Sequence, residues 1–134
     1  MRTIIDTNVF VSGIFFSGPP YTILDAWRNG KLELVVSPAI LEEYRRVAHE
    51  LAVQFPGIDP APVLEFIAIN AHLVDAPDLP EQVCTDADDD MFLACALASG
   101  AKIIASGDKA LLKTSGYRGI EVLKPKDFAA RYLA

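Results

Sequence analysis

The chain is poor in the residues that most metal and redox centres are built from. It has two cysteines and two histidines in 134 residues. Cys84 and Cys95 fit no Cys-x-x-Cys spacing, and Cys95 lies inside an apolar helical run. They read as reduced core thiols of a cytosolic protein, which excludes a disulfide framework. His49 and His72 have no ligand-type neighbours, so a zinc site is excluded and both read as ordinary helix residues. Positive charge is scarce as well: 12 Lys and Arg stand against 18 Asp and Glu, a net charge of −6. A protein that grips nucleic acid by bulk positive charge is thereby excluded, and any phosphate must be met locally. No run is long enough to span a membrane. The apolar start is interrupted by Asp6 and Asn8 and lacks a small-residue cleavage pattern, so it is not a signal peptide. Phosphate-binding P-loop and dinucleotide glycine patterns, EF-hand spacing and the Gly-x-Ser-x-Gly elbow are all missing. Repeats and low-complexity tracts are missing too.

What is present is a hydrophobic chain with a concentrated set of acids. Hydrophobic residues make up 51% of it, enough for one domain over residues 1–134 with a real core. From Thr85 to Asp108 the order is Thr85-Asp86-Ala87-Asp88-Asp89-Asp90, the apolar run Met91 to Ala98, Gly100, then Lys102 to Ala105 and Ser106-Gly107-Asp108. A buried helix and a short strand thus present carboxylates to one region. Taken alone, Asp88, Asp89 and Asp90 equally suit capping of the helix, where acids favour the positive end of the macrodipole.

Taken in order, Arg2 to Asp6 reads as a buried strand ending in an acid, where open parallel sheets place their ligands. Asp6 and Asn8 also suit a turn bonded to its own backbone. Gly18-Pro19-Pro20 breaks the chain, Tyr21 to Arg28 suits a helix, and Leu32 to Val36 a second strand. Ser37-Pro38 opens a helix to about Phe55. At about 100° per residue, Leu41, Tyr44, Val47, Ala48, Leu51 and Phe55 share its core-facing arc, with Ile40 near the edge. Glu43 falls about 40° outside that arc and Glu42 about 100° away, which puts Glu43 at the border of the core and Glu42 in solvent. Ala61 to Ala71 is a further helix and His72 to Asp75 a third strand. Ala76 to Glu81 is a loop. Lys102 to Ala105 forms a fourth strand, Lys109 to Leu112 one helical turn, Ile120 to Leu123 a fifth strand and Pro125 to Leu133 a terminal helix. The alternation implies a three-layer α/β domain with a mainly parallel sheet.

Asp6, Glu43, Asp89 and Asp108 are positioned to converge. Such a group repels itself unless hard cations bind it through oxygen, and magnesium or manganese fits that chemistry best. Such ions activate water and stabilise charge on a phosphodiester, with Asn8 and Ser106 positioning water, carboxylates or phosphate. Arg45, Arg46, Lys109, Lys113 and Arg118 are available to contact a nucleic-acid backbone, or simply to keep the surface soluble.

Four segments carry a resemblance: Ile4-Ile5-Asp6-Thr7-Asn8-Val9, Ser37-Pro38 through Glu43, Asp86 through Leu93, and Ser106 through Leu112. In this order they resemble the successive motifs of PIN-domain ribonucleases, nearest to the toxin components of prokaryotic type II toxin-antitoxin systems. The resemblance spans essentially the whole chain. It implies a five-stranded sheet of order 3-2-1-4-5, an acidic site at the strand ends and Mg2+- or Mn2+-dependent cleavage of RNA. It further implies a small antitoxin partner and a homodimer. The family roles fall on Asp6, Glu43, Asp89 and Asp108, with Asn8 as companion of Asp6. Asp89 is preferred to Asp90 by its spacing of seven residues before Ala96, while Asp86 and Asp90 remain outer ligands. Ser106 stands where the family more often has Thr, and the hydroxyl is kept. Two other readings stand beside this one: a catalytically silent module of the same fold that binds RNA or protein, and a haloacid-dehalogenase-like phosphatase with Asp6 as nucleophile. The second lacks its second acid, because Asn8 occupies that position.

Overall fold

In the computed structural model, which describes residues 1–133, five parallel strands form one sheet in the order β3-β2-β1-β4-β5. The strands are β1 (Arg2–Ile5), β2 (Glu33–Val36), β3 (His72–Leu73), β4 (Ile103–Ala105) and β5 (Glu121–Leu123). All are short; β1, β2 and β4 are mostly buried, β5 is half-buried, and β3 is an edge strand whose two residues are exposed. Thr3 pairs with both Leu34 and Ile103, and Ile4 with Ile104, so β1 lies at the centre. From β1 the chain steps to β2 and β3, then returns to the other side of β1 as β4 and β5. The order reverses between β1 and β4, and a ligand crevice forms beyond the strand ends at such a reversal.

The helices flank this sheet: α1 (Thr7–Phe15), α2 (Pro19–Arg28), α3 (Pro38–Gln54), α4 (Ala61–Asn70), α5 (Asp90–Ser99), α6 (Lys109–Leu112) and α7 (Pro125–Tyr132). Right-handed crossovers running in the two directions put their helices on opposite faces, which gives the three-layer α/β/α arrangement. Helix α3 starts where its sequence says it should, with Ser37 accepting from the Ile40 N–H at 3.2 Å and Pro38 in the first turn. Gly100 ends α5 in the left-handed region at φ 75°, where an L side chain is strained.

The expected strands and helices are present with ends shifted by one or two residues. Three local expectations change. A nine-residue helix, α1, follows Asp6 directly where a turn was expected. Thr7, Val9, Phe10, Val11, Gly13 and Phe15 are all buried, so the helix lacks the polar stripe that betrays an amphipathic one. His72 pairs with Val35 at the start of the expected third strand, so its reading as a helix residue does not hold. On α3 the fully buried residues are Ile40, Tyr44 and Ala48, whereas Phe55, placed in the core arc, is 37% exposed just past the helix end. The ring of Tyr44 stacks on Phe10 with centroids 4.2 Å apart, and its hydroxyl donates to the Ile5 carbonyl, fastening α3 and α1 to the end of β1. Burial holds that hydroxyl protonated, with its pKa well above the usual tyrosine value.

Gly13 lets α1 meet α2. A Cβ there would stand 2.5 Å from Leu24 Cδ1 and 2.9 Å from the Pro20 carbonyl oxygen, and the backbone oxygen cannot move aside cheaply. Gly13→Ala gains about 1 kcal/mol of helix propensity but suffers overpacking of a larger size, so a net loss of about 1 kcal/mol is expected in urea unfolding. Unchanged or higher stability would show that the two helices have slack between them.

Candidate active site

Asp6 follows β1 and stays in the sheet by its backbone, its N–H donating to the Ala105 carbonyl at 3.0 Å. Its side chain is 4% exposed and caps α1, accepting from the Val9 N–H at 2.8 Å through Oδ1. The other oxygen, Oδ2, accepts from the hydroxyl of Ser106. Ser106 is fixed in turn at the end of β4, where its N–H donates to the Leu123 carbonyl at 2.9 Å. Its Oγ also accepts from the Asp108 N–H at 3.0 Å. One serine thus sets the spacing of two acids. Asp108 caps α6 through Oδ1, 3.0 Å from the Ala110 nitrogen.

Glu43 lies six residues beyond the Ser37 cap, about 9 Å along α3, which keeps it near the strand ends. Its Oε2 accepts from the Thr7 hydroxyl and its Oε1 is 3.6 Å from Arg46 Nη2. Glu42 is exposed and faces Arg45 at 3.9 Å, as the helical phase requires. Asp89 ends a 3-10 turn over Ala87–Asp89 and stands at the N-cap position of α5, yet its side chain makes no capping bond. Its carboxylate lines the cleft beside Asp108 instead.

Asp6, Thr7, Asn8, Glu43, Val47, Asp89, Phe92 and Asp108 line one cleft of about 120 Å³. Four carboxylates from four separate elements therefore share a small volume. Two of the larger hollows do not repeat this. One of about 600 Å³ below the other ends of the strands carries Arg2, Arg28 and Glu33. One of about 350 Å³ beside α5 carries Asp78, Glu81 and Asp88, all exposed, with Asp90.

The remaining acids differ from these four. Asp90 accepts from the Val83 N–H at 3.0 Å and the Cys84 N–H at 2.7 Å, one per oxygen. Burial alone would raise its pKa, but the two N–H groups outweigh burial and hold it below the usual carboxylate value. Asp90 pins the incoming loop and does not line the cleft. Asp86 accepts from the Asp88 N–H at 3.0 Å and caps the 3-10 turn. Asn8 is exposed at the rim, and Ser106 lies beneath the cleft, acting through Asp6 and Asp108. Thr7 is a cleft residue that sequence reasoning passed over. Its only signal was adjacency to Asp6.

Electrostatics distinguish a crowded site from a row of caps. Burial raises the pKa of Asp6; its bonds from Ser106 and Val9 oppose the rise, and Asp108 and Glu43 add to it. Asp89 is pushed up to about 8, first by burial, then by its hydrogen bond with the Asp108 side chain and by the charges of Asp108, Asp86 and Asp6. When charged, Asp89 leaves Oδ2 buried with no donor in reach. An orphaned acceptor among like charges needs either a proton or a cation, so the donor set fits a hard divalent ion. As the side chains stand, no three His, Cys, Asp or Glu groups among the described residues already enclose a metal position.

The raised Asp89 and Asp6 favour the protonated fold, so in metal-free protein their contribution is full below the unfolded value near 3.8. It is lost as pH rises from there to about 8 for Asp89. Asp89→Asn should raise metal-free stability at pH 8 by about 1 kcal/mol, a figure discounted for the open side of the cleft. Chemical unfolding of both proteins at pH 5 and pH 8 checks this; a variant that gains nothing at pH 8 would mean the acids do not interact.

Comparison with known proteins agrees with the geometry. A PIN domain family model matches residues 2–110. An uncharacterized protein of Methanocaldococcus jannaschii, MJ1680, is 30% identical over 115 residues, covering 84% of this chain and 74% of that protein. With a five-stranded parallel sheet of the order found here and an acidic cleft at its switch point, the chain belongs to the PIN domain family and has a nuclease-type fold.

Proposed function

We propose that the protein is a metal-dependent ribonuclease that hydrolyses RNA phosphodiester bonds, acting as the toxin of a toxin-antitoxin pair. The supporting observation is the cleft itself, where Asp6, Glu43, Asp89 and Asp108 meet and Asp89 carries a raised pKa and an orphaned oxygen. These four acids would hold Mg2+ or Mn2+, which supplies water activation and stabilises the charge that grows on the phosphodiester during in-line attack.

The chain's own groups have separate tasks. Asp6 keeps one lone pair on each oxygen beyond the bonds from Val9 and Ser106, so it can bind a cation without leaving its cap. Ser106 holds Asp6 and the start of the Asp108 loop at a set distance. Asp89 gives up a proton when its charge is needed. Asn8, at the rim, offers an amide to a phosphate oxygen or to a positioned water. Lys109, exposed and next to Asp108, and Arg46, 3.6 Å from Glu43, are the cations available to the substrate backbone in a protein whose net charge is −6. The toxin role, the small antitoxin and the homodimer rest on the motif resemblance, and the cytosolic location on two free, buried cysteines. A phosphatase using Asp6 as nucleophile is disfavoured, because Asn8 stands where that chemistry needs its second acid.

Purified protein is expected to cleave single-stranded or structured RNA with Mg2+ or Mn2+ and to stop in excess chelator. Cleavage that persists in chelator would overturn the mechanism. Two adjacent pairs of acids test the residue assignment. Glu43→Gln should lose most activity, about 100-fold or more, and Glu42→Gln little. Asp89→Asn should be equally severe. Asp90→Asn should instead melt at lower temperature, by loss of its charge on two N–H groups, while folded molecules keep their turnover. Equal activity losses within both pairs would refute the assignment of the cleft.

A further inference from the structure

We infer that Thr7 is a positioning residue that holds the Glu43 carboxylate at the cation-binding wall of the cleft. The inference rests on the reading of the cleft as a divalent-cation site. Glu43 is the one member of the acid set that reaches the cleft from a helix rather than from the end of a strand or the start of a helix. Its side chain has three rotatable bonds, and ordering such a chain costs more conformational entropy than ordering an Asp. Two contacts restrain it. Oε2 accepts from the Thr7 hydroxyl, and Oε1 is 3.6 Å from Arg46 Nη2.

The two restraints are unequal. The Arg46 side chain is 56% exposed and also pairs with Glu50 at 3.1 Å, so it is a solvated, shared ion pair that contributes little. Thr7 is buried at the first position of α1, and its β-branched side chain has few rotamers to choose from. Its place is set by the capping of α1 on Asp6 and by the Phe10–Tyr44 stack that joins α1 to α3. A hydroxyl has one proton to donate, and Thr7 gives it to Glu43. The hydroxyl therefore selects one Glu43 position before a cation arrives, while the second lone pair on Oε2 stays open and Oε1 faces only the solvated, shared Arg46. Charge-assisted hydrogen bonds of this kind are strong enough to change an affinity by about tenfold.

Thr7→Val removes the hydroxyl and keeps the shape; Thr7→Ser keeps the hydroxyl. Mn2+ binding by calorimetry, without RNA, is expected to weaken about tenfold in Thr7→Val and to return close to wild type in Thr7→Ser. The Mn2+ concentration for half-maximal cleavage should rise by the same factor, with turnover at saturating metal largely kept. In a Glu43→Gln background Thr7→Val should have no further effect on Mn2+ binding, because Thr7 acts through Glu43. Thr7→Ala carries the same expectation and serves if the valine variant does not fold. Wild-type Mn2+ affinity in Thr7→Val or Thr7→Ala would overturn the inference and leave the nuclease reading intact. An undiminished effect of Thr7→Val in the Glu43→Gln background would overturn it as well. A wild-type protein that neither binds Mn2+ nor cleaves RNA would overturn the nuclease reading and this inference together.

Discussion

Burying the charge of Asp6 is the constraint on which the rest of the structure depends. An uncompensated carboxylate in the interior costs several kcal/mol, and hydrogen bonds to a charged group return about 1.5–3 kcal/mol each. The fold supplies two, from the Val9 N–H and the Ser106 hydroxyl. The first requires that a helix begin immediately after β1. The second requires that β4, and not another strand, lie beside β1, and the Thr3–Ile103, Ile4–Ile104 and Ile5–Ala105 register brings Ser106 level with Asp6. The same two requirements leave Asp6 short of full compensation, so its pKa stays raised. That residual deficit is the electrostatic ground on which the proposed cation site rests.

The other acids are held by different devices. Tyr44 fastens α3 to the Ile5 carbonyl, one residue before Asp6, and so brings Glu43 to the same strand end. The hydrogen bond from the Asp108 N–H to Ser106 joins the fourth acid to the first through one hydroxyl. Asp89 and Asp90 illustrate how environment divides neighbouring residues. Asp90 receives two backbone donors and is held in its charged form, while Asp89 receives none and is pushed towards its protonated form. Such a divergence between adjacent titratable groups is the electrostatic support for the proposed role of Asp89.

Much of this was legible in the residues. Alternating apolar runs and turn residues located all five strands, the Ser37-Pro38 start of α3 was correct, and helical phase separated Glu43 from Glu42. The order of the strands came from resemblance to known motifs, since pairing between distant segments leaves no periodic signal. Helix α1 was hidden because Thr7–Phe15 is buried nearly all round, and its β-branched residues with Gly13 argue weakly for a helix. The contact of Thr7 with Glu43 spans 36 residues, and that of Asp90 with Cys84 runs backward through a loop. Contacts of both kinds exist only once tertiary packing has formed. Phe55 left the expected core because α3 ends at Gln54, one residue short of it.

The central claim is that these carboxylates share one cation site in which Asp89 is protonated until the ion arrives. Calorimetric titration of Mg2+ or Mn2+ into the protein at pH 7, repeated in buffers of different ionisation enthalpy, counts the protons released on binding. With Asp89 near 8 in the metal-free protein, release of close to one proton is expected at pH 7, falling towards none above pH 9 and absent from Asp89→Asn. Binding without proton release at pH 7, or the same release from Asp89→Asn, would contradict the shared site.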